Sequence, residues 1–236
     1  MDSKKDLAEQ SSKGASKQDC ARDRILQAAG ATFADKGFRG STVREICDAA
    51  EVNIASVNYY FGDKKSLYEE TLLLAREIGA KTYPTPDFSS FESPELRLRG
   101  MILLLLNRLV ANHTEPWPVK ILMAEILNPS PAARPLIDGY IELFLDAVFT
   151  TVAQLLPPEA PESVVRQTSF SIVAQCVYYR FANTLNRMLV VDGSYEKDFS
   201  VNALAEQIYE FSLAGIQGTK DRLQKEKAGQ LDSAVV

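Results

Sequence analysis

The sequence predicts an all-α fold of about nine helices. Apolar residues recur at helical spacing over nearly the whole of the 236 residues. Almost no stretch reads as a strand. Prolines gather at the joints between periodic runs: Pro116, Pro118, Pro129, Pro131, Pro157, Pro158 and Pro161.

Residues 1–18 are rich in Ser, Lys, Gln and Asp and read as a disordered tail. A helix follows from Asp19, with Ile25, Ala28, Ala29, Thr32 and Phe33 on one side and Gly37 as its stop. Thr42-Val43-Arg44-Glu45 is a capping-box pattern. It opens a short helix with Val43, Ile46, Cys47 and Ala50 inward. Glu51-Val52-Asn53 is a tight connection, and Asn53 suits the cap of a helix that buries Val57, Tyr60 and Phe61. Gly62 breaks it, and Asp63 caps a longer helix through Leu67, Leu72 and Ile78. After a turn from Tyr83 to Pro94, apolar helical stretches run at 95–112, 116–127, 131–156, 162–190 and 199–218. Residues 19–66 read as one domain, 67–220 as a larger helical one, and 221–236 as a flexible tail.

Composition narrows the function. No apolar run reaches the roughly 18 residues of a membrane span, and the polar start is no secretory signal. A cytoplasmic protein is expected. Cys20, Cys47 and Cys176 are scattered, and His113 is the single histidine. No metal and no cofactor are therefore expected. Phosphate-loop, G-x-S-x-G and dinucleotide motifs are missing, so no enzyme is expected. The net charge is −5, with 13 Lys and Arg against 13 Asp and Glu in residues 1–83, and 13 against 18 in residues 84–236. The acidity sits in the C-terminal two-thirds, and the N-terminal part is neutral.

Two short helices joined by three residues and backed by a third make a helix-turn-helix, spanning Thr42 to Lys64. Ala55 and Ser56 keep the first turn of the second helix small, so that the backbone can approach base edges. Residues 20–70 resemble the TetR family of repressors through Thr42 and Ile46, Ala49 to Asn53, Asn58 to Phe61, and Lys64 with Leu67. Asn58 replaces the usual Tyr, Ile54 a common polar residue, and Gly62 a frequent Pro. A homeodomain-like three-helix head and a helical ligand-binding and dimerisation domain are implied. On that footing Thr42 offers a hydroxyl to a phosphate and Arg44 a bidentate contact to guanine. Ser56 and Asn58 face base edges, Tyr59 and Tyr60 reach phosphates, and Lys64 adds a cation at a helix N-terminus.

Glu125-Ile126-Leu127-Asn128-Pro129-Ser130-Pro131 and Gln175 to Phe181 resemble the C-terminal domain of the CecR-type branch. The resemblance implies a homodimer on palindromic double-stranded DNA, released by an unknown small-molecule effector. An activator, a corepressor-dependent regulator, or a non-catalytic helical interaction protein are the alternatives. Candidate effector contacts are Met101, His113, Trp117, Met123, Glu125, Cys176, Tyr178, Tyr179 and Arg180. Glu125 and Arg180 either pair with each other or orient a polar ligand, since both stand in apolar surroundings. Candidate dimer contacts are Phe170, Val173, Val177, Phe181, Leu204, Ile208 and Phe211.

Overall fold

The computed structural model describes residues 3–111, 116–134, 138, 141–190 and 193–234, with side chains described between 21 and 228 except at 183 and 184. His113 lies outside the described residues, as does the side chain of Cys20. The described residues are all-α, without a strand. In chain order the helices are α1 (Ser3–Gly40), α2 (Val43–Ala50), α3 (Ile54–Phe61), α4 (Lys64–Thr82), α5 (Pro94–Leu109), α6 (Trp117–Leu127), α7 (Glu142–Leu155), α8 (Glu162–Leu189), α9 (Tyr195–Asp198) and α10 (Val201–Ala234). Short 3-10 turns lie at Phe88–Ser90 and Pro131–Ala133.

Both expected tails are helical where described. Residues 3–18 continue α1, and α10 runs on to Ala234. Disorder was expected because these segments have little to bury. Their Ala, Glu, Lys and Gln are nevertheless strong helix formers without a core, and Arg222 and Glu226 add an i,i+4 pair.

The chain divides into two compact units, the first from 1–82 and 113–138, the second from 83–112 and 139–236. In the first, α1 packs on α2, α4 and α6, and α4 packs on α6. Its core joins Ile25, Phe33, Ile46, Val57, Phe61 and Leu72 to Trp117 and Ile121. The unit is larger than the 19–66 segment because α6, far along the chain, covers the open side of α1. The Trp117 ring fills the notch at Gly30, where a Cβ would stand 2.5 Å from it. Its indole N–H donates to Gln27 Oε1 at 3.1 Å.

In the second unit α5 packs on α7, α8 and α10. Leu98, Met101, Ile102, Leu106, Val152, Ile172, Cys176, Leu204 and Ile208 form its core. An apolar cavity of about 10 Å³ lies among Met101, Phe144, Ile172 and Cys176. That is room for about one water.

Candidate nucleic-acid interface

Each element of the reading head is closed by a local hydrogen bond. At the start of α2, Thr42 Oγ1 accepts from the Glu45 N–H at 3.2 Å, and the Thr42 N–H donates to Glu45 Oε2 at 2.9 Å. The Thr42 hydroxyl also donates to Glu45 Oε2 at 3.0 Å, so its donors serve the cap. Lys36 Nζ donates to Glu45 Oε1 at 2.8 Å. That bond, and then those from Thr42, hold the Glu45 carboxyl below the usual carboxylate range. Glu51 ends α2 in the left-handed region at φ 55, which lets the chain reverse within three residues.

Asn53 Oδ1 accepts from the Ala55 N–H at 2.9 Å and caps α3. Val57 and Phe61 are buried below, while Ile54, Ala55, Asn58 and Tyr59 share the exposed side. Tyr59 is 73% exposed and Ile54 51%. Ser56 and Tyr60 are half-buried at the borders, and the Tyr60 ring meets Tyr59 edge-on at 5.0 Å. No residue of α3 is charged. The helix ends at Gly62 with φ 77, a conformation proline cannot adopt, which accounts for glycine there. Asp63 Oδ1 then accepts from the Ser66 N–H at 2.7 Å.

Of the two predicted cations, Arg44 is exposed on α2. Lys64 turns inward. Its ammonium donates to the Ser41 carbonyl and stands 4.7 Å above the Phe38 ring. It ties the start of α4 to the end of α1. Ile54, which stands where a polar residue is common and so is expected with Asn58 to face DNA, is exposed on α3, and Arg39 is exposed near the end of α1. Counting one turn back from Asn58 finds Ile54 in the sequence. Arg39 had no such signal.

The predicted effector residues are divided between the two units. Met101 and Cys176 line the small cavity of the second unit, and burial pushes the Cys176 thiol up to about 12. Tyr178 is exposed and Tyr179 half-buried beside Phe199. Arg180 is half-buried, and burial lowers its pKa. Trp117, Met123 and Glu125 are buried in the first unit. Glu125 accepts from the Tyr68 hydroxyl, and from the Ser130 N–H at 2.7 Å. It therefore takes these two donors from within its own unit. Burial first, then the neighbouring carboxylate, raises the pKa of Tyr68.

The predicted dimer residues also divide. Phe170, Phe181 and Phe211 are exposed, and Val173 and Val177 are half-buried. Leu204 and Ile208, at 3% and 0% exposure, are core residues of the second unit instead. Helical spacing identified an apolar face of α10 but not which side of it turns inward.

A capped helix, a three-residue turn and a second helix with one outward face define a helix-turn-helix DNA-binding protein. Comparison with known proteins agrees. Residues 25–71 match the profile described as bacterial regulatory proteins, tetR family, and residues 94–216 match the C-terminal domain of the HTH-type transcriptional dual regulator CecR. The chain is 29% identical over 120 residues to the "Probable HTH-type transcriptional regulator YttP" of Bacillus subtilis (strain 168), covering 51% of this chain and 57% of that one. It is 41% identical over 51 residues to the HTH-type transcriptional repressor KstR2 of Mycolicibacterium smegmatis, covering 22% of this chain and 25% of that one. It thus spans about half the length of the first of these relatives and a quarter of the second. The fold resembles that of AibR in complex with isovaleryl coenzyme A and operator DNA, with a TM-score of 0.61 and 14% identity over 81% of this chain and 97% of that one. The protein belongs to the TetR family of bacterial transcriptional regulators, with a CecR-type C-terminal domain. It is a DNA-binding regulator and not an enzyme.

Proposed function

We propose that the protein is a cytoplasmic repressor that binds a palindromic operator as a homodimer and leaves it when a small molecule enters the C-terminal domain. The observation that carries this reading is the outward side of α3, uncharged and unobstructed on a fully capped head. Among the described residues, no helix is long and apolar enough to cross a membrane. Dimerisation has support in the apolar stripe of α8, where Phe170, Tyr178, Phe181, Leu185, Met188 and Leu189 are exposed at near-heptad spacing. Two copies placing two heads on two half-sites gain affinity that one small head lacks.

Arg44 reads guanine in this scheme. Arg44→Ala is expected to weaken operator binding by about 1–3 kcal/mol and to relax preference at one base pair. Fluorescence anisotropy against matched and mismatched duplexes measures both. Unchanged affinity and preference would remove Arg44 from the interface. For the effector, a melting-temperature screen of cationic drugs, aromatic acids and acyl thioesters is the direct test, because a bound ligand stabilises by mass action. Acyl thioesters come first, given the ligand named for AibR. The description of CecR as a dual regulator favours a second reading, in which the same head activates at some promoters. Reporter fusions with the operator upstream of, or overlapping, the promoter separate the two.

A further inference from the structure

We infer that Ile54 is a specificity residue that reads the C5-methyl group of a thymine in each operator half-site. The inference rests on the DNA-binding reading above. Ile54 is the first residue of α3, directly after the Asn53 cap, and 51% of it is exposed. Large apolar side chains on this head are otherwise mostly buried in its core, as Val57 and Phe61 are on the same helix. Ile54 instead shares the outward side with Ala55, Asn58 and Tyr59. The position is one turn from Asn58.

The chemistry of that side excludes most other readouts. Without a charge on α3, the helix offers no cation to guanine and no carboxylate to cytosine. What remains is an amide, hydroxyls and methyl groups. In the major groove, thymine is the base that presents a methyl group, and apolar side chains are its natural partners. An exposed isoleucine is a cost in the free protein, and covering it against a methyl removes both apolar surfaces from water. Its own carbons carry no hydrogen-bonding capacity, so the contact selects thymine over cytosine and over uracil alike.

The test uses the full chain. Duplexes are selected from a random pool, and each thymine of the enriched half-site is then replaced singly by deoxyuridine, which deletes only the methyl. At one position per half-site the loss should be about fourfold, the worth of one methyl removed from contact. Changing both half-sites together should cost about sixteenfold. Ile54→Ala should bind the parent duplex more weakly and lose the difference between thymine and uracil at that position, while retaining it elsewhere. If the protein enriches a sequence and no uracil replacement matters, or if Ile54→Ala keeps the discrimination, the assignment is overturned and the regulator reading stands. If no sequence is enriched, both fall together.

Discussion

The two units differ in how they distribute the apolar side chains they leave exposed. In the first, the starts of α2, α3 and α4 are capped by side chains, the buried Glu125 has two donors, and Lys64 is tied to a carbonyl and an aromatic face. Among the described residues each unit buries a hydroxyl without a partner, Ser130 in the first and Ser169 and Ser212 in the second, but in the second α8 also turns six large apolar side chains outward. On the first unit the exposed large apolar side chains, such as Ile54, Leu73 and Leu127, are scattered over several helices. The second carries an outer face that a single copy leaves in water, at a cost proportional to the area exposed. A reading head must hold its geometry with or without its target, whereas a regulatory body has to keep options open.

If this contrast is right, the largest loss should come from the head's central packing. Trp117→Ala empties the notch at Gly30 and should destabilise the first unit by about 3–5 kcal/mol, read by urea denaturation. A loss below about 1 kcal/mol would mean that α6 is not integral to that unit. On the second unit, Phe181→Glu with Leu185→Glu should leave the fold intact and give monomers in sedimentation velocity. Operator affinity should then drop by about a hundredfold or more, as expected when two linked contacts become one. Dimers that survive both changes would place the interface elsewhere.

A smaller effect is expected from Tyr68→Phe, which leaves Glu125 with one donor. The cost should be about 1–3 kcal/mol in the same denaturation measurement, concentrated in the first unit. Smallest is the pH effect of the α2 cap. Glu45 is held below the usual carboxylate range by Lys36 and Thr42. Its contribution is present at neutral pH and is lost as pH falls through that lowered value. Glu45→Gln should flatten this part of the acid limb of stability against pH. An identical limb in the variant would show that the cap does not titrate with folding.

Local features were legible from the sequence, and distant pairings were not. The caps at Thr42, Asn53 and Asp63 follow from residue types within three or four positions, and Gly37, expected as the stop of α1, is a non-helical break (φ 71) inside a helix that runs on to Gly40. The buried side of α3 follows from helical spacing. Glu125 was recognisable as a charge in apolar surroundings, but its donor Tyr68 lies 57 residues away, beyond the reach of any local pattern. Arg180 was an equally plausible partner on charge alone. Lys64 looked like a surface cation because the carbonyl that receives it belongs to Ser41, which has no side-chain signature for that role. Leu204 and Ile208 show the limit of periodicity. It tells which residues share a face of a helix, but not what covers that face.

The seat of Trp117 on Gly30 also bears on how the chain is made. Its hydrogen-bonded neighbour Gln27 precedes it by 90 residues. As synthesis proceeds, α1 to α4 emerge with the Gly30 notch unfilled, and α5 of the other unit follows before α6 can arrive. The first unit can therefore close only after about Ala133 has left the ribosome. By then part of the second unit is already waiting for α7 to α10. Folding is interleaved, with neither unit complete before part of the other exists, and the early chain must pass through a stage with apolar surface uncovered.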